Sequence, residues 1–291
     1  MHPREALLEW YRPRRALYPW RSADPDPYLV LVSEVMLQQT QAARVVHIYR
    51  EFARRFPTVM KLAAAPRRDV LRAWSGLGYN RRALNLSEAA RTIALVYAGR
   101  VPSAPETLRT LPGVGPYTAA AVASIAFDEP VPALDTNVAR VVARARLGAE
   151  PHEMPRSRLR EAAAEWLDRK RPGAWNQALM DLGREVCRPL PRCGICPLSE
   201  SCTFRLSGIE PRRSPRRQPP FPGSFRRVRG AVVRALRNHS SLSIQSLARE
   251  SGEPSERVME AIRALAREGL VDASPAALAG RLRGRVRLAA G

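Results

Sequence analysis

The chain has 291 residues, enough for two domains or one large one, and its 45% hydrophobic content allows a sizeable buried core. Its 48 basic residues against 27 acidic ones give a formal net charge of +21, which favours a polyanionic partner, most commonly nucleic acid. Because no run of apolar residues approaches the roughly 18 of a membrane span, and the first residues lack the form of a signal peptide, we expect a cytoplasmic, nucleoid-associated protein with no membrane partner.

The composition predicts an all-α fold. Arg, Ala and Leu are the most abundant residues, whereas β-branched and aromatic residues are sparse. A short amphipathic helix lies within residues 1–21, and repeated Pro and Gly then divide residues 28–128 into short helices. Residues 131–186 continue the helical pattern, and no alternating strand pattern precedes residue 270.

The last part of the chain differs in character. Residues 208–227 are rich in Pro and Arg and lack apolar periodicity, which is typical of a linker. Residues 228–291 contain three helical patterns, with Gly252 between the second and the third, and then a tail, GRLRGRVRLAA, that alternates Arg with apolar residues. This order predicts a small winged helix-turn-helix-like domain. Some winged helices bind DNA and others only pack, so the pattern leaves DNA contact open.

The stretch LPGVGPYTAAAVASIAF, residues 111–127, has the form of a helix-hairpin-helix. Gly113 and Gly115 allow a tight turn and a close approach of the backbone to a ligand. The N–H groups at the start of the following helix suit a phosphate, and Pro116 fits the first helical turn. About twenty residues later, Asp135 precedes the helical pattern TNVARVVARAR, where it also suits an N-cap.

LPGVGPYTAAAVASIAF and the later VPALDTNVARV resemble the helix-hairpin-helix (HhH-GPD) DNA glycosylases, whose Gly/Pro-rich loop ends in an aspartate. The resemblance implies a two-lobed glycosylase fold in which the hairpin grips the DNA backbone and Asp135 is catalytic. Family members with lyase activity carry a lysine at the position of Tyr117. We therefore expect base release by water, without strand cleavage through a protein imine.

The stretch LVSEVMLQQTQAARV, residues 31–45, resembles the MutY-type adenine glycosylases, and the similarity covers roughly residues 5–205. It implies base excision repair of double-stranded DNA in which adenine is mispaired with 8-oxoguanine or guanine. Glu34 is then the acid that protonates adenine, and its apolar neighbours are expected to raise its pKa. Ionised Asp135 would stabilise the oxocarbenium-like sugar, with Tyr117 assisting.

An enzyme that acts on a base inside a duplex must extrude the base and fill the gap. By the same resemblance, the predicted DNA-binding residues are Gln39, Thr40, Leu77, Tyr79, Gly113 and Gly115, and the predicted base pocket contains Trp20, Arg21 and Gln177. From the residues alone, Tyr79 also suits a loop aromatic packed on the core, and Trp20 suits a buried core residue.

All four cysteines, Cys187, Cys193, Cys196 and Cys202, fall in one short segment, which indicates a metal site and not disulfides. Four thiolates suit either zinc or a [4Fe–4S] cluster, and spacing alone does not decide between them. The resemblance implies one [4Fe–4S] cluster, although the first interval is one residue shorter than in the family.

MutY-type proteins commonly carry a β-rich domain after the cluster that recognises 8-oxoguanine, and its place here is taken by the linker and the helical segment. The opposite-base preference therefore stays open. The predicted domains are an N-terminal segment packing with the cluster lobe (1–21), a six-helix barrel lobe with the hairpin (22–130), an iron–sulfur lobe (131–207), a linker (208–227) and the winged-helix-like domain (228–291). We expect a monomer.

Two other functions fit part of the sequence. Mismatch thymine or uracil glycosylases share the hairpin tyrosine, the aspartate and the cluster, but they generally lack a glutamate followed by VMLQQT. A catalytically silent iron–sulfur DNA-binding regulator fits the basic charge and the winged helix. The joint presence of Glu34, Tyr117 and Asp135 favours an active adenine glycosylase.

Overall fold

A computed structural model describes residues 2–212 and 221–290, so residues 213–220 of the predicted linker lie outside the described part. Its contacts divide the chain into two compact units. The first unit contains Met1–Val35 and Val101–Pro215, and the second contains Met36–Arg100 and Arg216–Gly291. The described residues are mostly helical, which confirms the all-α prediction. The predicted domain boundaries stay predictions.

The first unit is a set of helices around an apolar core. Its helices are Pro3–Tyr11, Arg12–Leu17, Pro27–Leu37 (which ends in the second unit), Pro105–Leu108, Pro116–Phe127, Thr136–Val142, Ala143–Leu147, Arg156–Trp166, Pro172–Glu185, Cys193–Ile195, Ser199–Ser201 and Thr203–Leu206. Trp166 and Trp175 lie edge to face in the core, with ring centroids 5.2 Å apart. Burial of these large rings contributes to the stability of the unit.

Two glycines allow helix Pro172–Glu185 to pack very closely on its neighbours. A Cβ atom at Gly173 would lie 2.6 Å from the backbone oxygen of Ser124, and one at Gly183 would lie 2.7 Å from the Cβ atom of Asn137. Because only glycine lacks a Cβ atom, these close approaches require glycine at both positions. They bring the helix against the two helices that carry the predicted catalytic residues Tyr117 and Asp135.

The second unit combines two sequence-distant groups of helices. The first group is Ala42–Arg55, Val59–Ala63, Arg67–Ala73 and Arg81–Val96, and the second is Phe225–Arg237, Ile244–Ser251, Ser255–Arg267 and Pro275–Leu278. Phe52 and Trp74 meet edge to face with ring centroids 5.8 Å apart, and both are fully buried. None of the helices in the described residues combines the length and the apolar character needed to cross a bilayer.

Three short strands complete a winged-helix-like C-terminal module, defined here as residues 221–290. Strand Arg285–Leu288 lies between Leu242–Ser243 and Val271–Ala273 and is antiparallel to both. Val286 and Leu288 are buried whereas the two arginines of the strand are exposed, as the alternating tail predicts. The strand Leu242–Ser243 was not expected from the sequence, because two residues are too few to show an alternation.

Candidate active site and DNA-binding surface

Glu34 lies on the apolar helix Pro27–Leu37 and is only 4% exposed. Its Oε2 atom accepts a hydrogen bond of 2.9 Å from the hydroxyl of Tyr117. Burial raises the pKa of Glu34 from 4.5 to about 7; the Tyr117 hydrogen bond lowers it, and the nearby charge of Asp135 raises it. The carboxyl group is therefore part neutral acid and part carboxylate near neutral pH, the state that a proton donor needs.

Tyr117 is the second residue of helix Pro116–Phe127, directly after the glycine turn. Burial raises the pKa of its hydroxyl well above 10.0, so the group stays neutral and acts as a donor. The hydroxyl also lies 3.6 Å from the sulfur of Met180 on helix Pro172–Glu185. The hairpin thus positions the residue that holds the acid.

Asp135 is the N-cap of helix Thr136–Val142, as its place before TNVARVV predicted. Its Oδ1 accepts from the backbone N–H of Val138 at 2.6 Å, and its Oδ2 accepts from the side-chain amide of Asn137 at 3.0 Å. Burial raises the pKa of Asp135, while these hydrogen bonds act to lower it. Capping and a catalytic role are compatible, because the cap fixes the carboxylate beside Glu34 and Tyr117 in one orientation.

The three residues predicted for the base pocket lie in this unit, but they do not share one role. Arg21 forms a two-point ion pair with Asp181, with Nη to Oδ distances of 2.6 and 2.8 Å, and both side chains are buried. Gln177 accepts a hydrogen bond of 3.1 Å from Tyr11. Trp20 is 8% exposed, which fits its interpretation as a core residue as well as a wall of a pocket.

The hairpin has the geometry of a backbone that a ligand can approach. Gly113 has a φ of 77°, a left-handed conformation that favours glycine. Gly115 has an ordinary φ, and a Cβ atom there would meet no described atom within 4 Å. Since the fold itself does not require glycine at 115, the open space in front of it is available for a phosphate at the start of helix Pro116–Phe127.

The four cysteine side chains line one cavity, together with Arg144 and Phe204. Burial raises the pKa of the Cys187 thiol, which Arg144 opposes, and burial raises the pKa of Cys196 to about 11. The four thiols are unpaired, so no disulfide competes for them among the described residues. Within that same part of the chain, no group of three His, Cys, Asp or Glu is arranged to hold a metal ion.

Arg144 anchors this cysteine segment and was not found from the sequence. It is 2% exposed and forms an ion pair of 2.7 Å with the equally buried Glu150. It also donates to the carbonyl oxygens of Arg188 (2.6 Å) and Pro189 (3.0 Å) and lies 3.8 Å from the sulfur of Cys187. One guanidinium therefore holds the loop that follows the first cysteine.

The predicted DNA contacts of the second unit lie on two loops with unusual backbone conformations. Gln39 has a φ of 54° and Tyr79 a φ of 45°, both in the left-handed region that non-glycine residues rarely adopt. Such strain clusters at functional sites. Gln39 is exposed and Tyr79 is 42% exposed, whereas Leu77 is 3% exposed, so its side chain lies in the core.

Arg82 ties the two loops together and was also missed by the sequence reasoning. Its guanidinium donates to the backbone oxygens of Met36 (2.9 Å) and Gln38, and to the Thr40 hydroxyl at 3.0 Å. It also lies 5.5 Å from the ring centroid of Tyr79. Burial lowers the pKa of Arg82 to about 10, which leaves the group charged at neutral pH.

Comparison with known proteins gives matches that agree with one another. A profile of HhH-GPD superfamily base excision DNA repair proteins matches residues 32–168. An adenine DNA glycosylase of Mycobacterium tuberculosis is 46% identical over 236 residues, which cover 79% of this chain and 77% of that protein. The adenine DNA glycosylase of Homo sapiens is 43% identical over 213 residues, covering 69% of this chain and 39% of the human protein.

Solved structures match about 70% of the chain. The structure of a thermostable thymine-DNA glycosylase has a TM-score of 0.64 and 30% sequence identity, and the match covers 70% of this chain and 95% of that one. A complex of endonuclease III with DNA has a TM-score of 0.58 at 23% identity, which supports the fold alone.

Proposed function

Because the chain belongs to the HhH-GPD superfamily of base excision DNA repair proteins, we propose that it is a monofunctional DNA N-glycosylase that removes mispaired adenine from DNA. The observation that carries this proposal is the arrangement of Glu34, which accepts a hydrogen bond from Tyr117, and the capped Asp135, whose charge is near enough to raise the pKa of Glu34. It combines a buried carboxyl that is partly protonated near pH 7 with a second carboxylate fixed by hydrogen bonds. Such a pair of unlike carboxyl groups is what hydrolysis of a glycosidic bond requires.

Glu34 supplies the proton. Adenine is a poor leaving group until a ring nitrogen is protonated, so the acid acts before or during the cleavage of its bond to the sugar. Because the Tyr117 hydroxyl donates to Oε2 of Glu34, that oxygen is the acceptor and the acidic proton is held on Oε1. Tyr117 therefore orients the donor without entering the reaction itself.

Asp135 stabilises the positive charge that develops on the deoxyribose when the base leaves. Its hydrogen bonds from Val138 and Asn137 favour the ionised form in a buried place. Water then completes the hydrolysis. The amine nucleophile of a lyase is missing, because the chain contains only Lys61 and Lys170 and the hairpin position holds Tyr117.

We also propose that the partner is double-stranded DNA with an adenine opposite 8-oxoguanine or guanine, and that the enzyme acts as a monomer. The hairpin turn at Gly113 and Gly115 would hold a phosphate, and the exposed, strained residues Gln39 and Tyr79 would enter the duplex. Thr40 and Leu77 would support these two loops, and Trp20, Arg21 and Gln177 would line or brace the base pocket.

We propose that the four cysteines hold one [4Fe–4S] cluster. Support comes from the four thiols that line one cavity and from the charge of Arg144, which favours thiolate at Cys187. When bound, the cluster would crosslink the cysteine segment, and hydrolysis requires no redox step from it. Iron and acid-labile sulfide analysis of the purified protein is expected to give about four of each per chain. A zinc content of one per chain without sulfide would contradict the proposal.

A panel of duplexes tests the function directly. Oligonucleotides carrying A opposite 8-oxoguanine, A opposite G, T opposite G or U opposite G are incubated with the enzyme and then treated with alkali. We expect abasic sites only in the two adenine duplexes, and strand breaks only after the alkali step. Cleavage confined to the T:G and U:G duplexes would indicate a mismatch thymine or uracil glycosylase, and no base loss in any duplex would favour a silent regulator.

A further inference from the structure

The second unit contains a groove that neither the catalytic pair nor the cysteine segment uses. Its volume is about 1270 Å³. One wall consists of the loops of Gln39 and Tyr79, and the other is helix Phe225–Arg237 of the C-terminal module. Among the described lining residues Glu268 is the only acid, and its carboxylate is paired with Arg229 at 2.5 Å.

Helix Phe225–Arg237 presents one basic face to this groove. Arg226, Arg234 and Arg237 line it, and their successive spacings of eight and three residues place them on one side of a helix. Gly230 lies on the same side, between the arginines, and a Cβ atom there would meet no described atom within 4 Å. Glycine in a helix interior is destabilising, and no neighbouring atom of the described residues requires glycine at this position.

Arg237 lies at the floor of the groove among neutral partners. It donates to the hydroxyl of Ser75 at 2.9 Å and to the side-chain oxygen of Asn80 at 3.0 Å, both beside the Tyr79 loop. Burial and the charge of Arg234 lower the pKa of Arg237 to about 10. An anion in the groove would raise the pKa of Arg237 again, because it would supply the negative charge that the neutral partners lack.

We propose that this groove binds a strand of nucleic acid, with phosphates on Arg234 and Arg237 and a base against the ring of Tyr79. Charge complementarity selects a polyanion, and the exposed aromatic ring, held over the Arg82 guanidinium, selects one that has bases to stack. Gly230 provides the space for the strand between the arginines. The C-terminal module is therefore a part of the DNA-binding surface, and it acts through its first helix.

This assignment differs from the usual use of a winged helix, in which the later helix and the wing contact DNA. The wing here carries Arg283 and Arg285, which are exposed and do not line the groove. The two pairs of arginines have equal charge, so they offer a matched comparison. The inference rests on the proposed function and deepens it, but the binding measurements below test it without requiring base release.

The test measures the affinity of the full chain for a fluorescent matched duplex, by anisotropy, over a series of salt concentrations. We expect the pair Arg234→Gln/Arg237→Gln to bind at least about tenfold more weakly, and its log–log salt slope to fall by about 1.8, since each lost phosphate contact removes about 0.9. The control pair Arg283→Gln/Arg285→Gln is expected to change the affinity less than about twofold. Equal losses in the two pairs would overturn the proposal.

A second variant distinguishes a loss of binding from a loss of folding. Gly230→Gln replaces a helix breaker by a helix former and fills the groove without changing the charge. We expect a higher melting temperature together with binding weakened by about tenfold; unchanged binding would contradict the proposal. Poly-glutamate at equal charge is expected to displace the duplex poorly, and efficient displacement would assign the groove to an acidic protein instead.

Base release from an A:G duplex over a range of enzyme concentrations separates this inference from the proposed function. We expect the control pair Arg283→Gln/Arg285→Gln to keep the single-turnover rate of the wild type, and the groove variants to need about tenfold more enzyme to reach half of their maximal rate. A wild-type enzyme that releases no base, with groove variants that still bind weakly, would refute the proposed function and leave the groove in place. A wild-type enzyme that releases adenine, with groove variants that bind as tightly as the wild type, would refute the proposed groove and leave the proposed function in place.

Discussion

Replacement of Glu34 by Gln is expected to destroy activity and to stabilise the fold. The buried carboxyl has a pKa of about 7 in the folded protein against 4.5 in an unfolded chain. Above pH 7 the group is ionised in both states, and the folded state then carries the whole cost of the buried charge. At 1.36 kcal/mol per pKa unit this cost is about 3 kcal/mol. Below pH 4.5 the group is neutral in both states and the cost disappears.

Gln keeps the shape of the side chain and an oxygen that can accept from Tyr117, but it cannot ionise or donate the acidic proton. We therefore expect the variant to be more stable than the wild type by about 3 kcal/mol at pH 8, and nearly equal to it at pH 4.5. Base release should fall by a factor on the order of 100 to 10,000, the range for loss of a general acid.

Urea unfolding of both proteins at pH 8 and pH 4.5 measures the stability difference, and single-turnover alkali-cleavage assays measure base release. Glu260→Gln, an exposed position on helix Ser255–Arg267, is the control and should change the free energy of unfolding by less than about 0.5 kcal/mol at either pH. A Glu34→Gln protein that gains no stability at pH 8, or that still releases adenine at the wild-type rate, would refute the argument that a buried acid supplies the proton.

Three further outcomes are expected. The single-turnover rate should fall about tenfold per pH unit above pH 7, as Glu34 loses its proton, and in Tyr117→Phe the inflection should move upward by about one pH unit because a hydrogen bond to the carboxylate is lost; a rate flat to pH 9 would contradict this. Asp135→Asn should keep the helix cap, and hence the melting temperature, while base release falls about 100- to 1000-fold; a large loss of stability instead would assign the residue to capping alone. Arg144→Gln should lose about 3 to 5 kcal/mol of stability and most of the bound iron, because its buried partner Glu150 is left unpaired. The control Arg146→Gln, at an exposed position, should retain both the stability and the iron. Equal iron contents in the two purified variants would argue against the anchoring role of Arg144.

The fold class, the burial of Glu34 and the helix cap at Asp135 could be predicted because their signals are local. The glycine turn, Pro116 and the apolar run after it lie within one stretch, and Asp135 stands directly before the helix that it caps. Glu34 lies in an apolar run, so burial and a raised pKa followed from its neighbours alone. Burial and capping needed only the periodicity of a helix and the chemistry of its ends, whereas the catalytic roles of these residues rest on the resemblance to the glycosylases.

The residues that were missed depend on partners far away in the sequence. Asp181 pairs with Arg21 across 160 positions, and Arg237 reaches Asn80 across 157. Arg82 resembles any arginine of a solvated helix until the loops that it holds are placed around it. In a chain with 48 basic residues, composition cannot tell such anchoring arginines from surface ones.

The start of helix Pro116–Phe127 brings the proposed phosphate site and the proposed acid close together in the sequence. Gly115, where the backbone is open, is the proposed phosphate site, and two positions later Tyr117 donates a hydrogen bond to Glu34. A duplex that is shifted by one nucleotide would therefore lose its anchorage and misalign its glycosidic bond at the same moment. On the proposed function, the fixed spacing between Gly115 and Tyr117 would bring to Glu34 only the nucleotide that lies at one set distance from the bound phosphate.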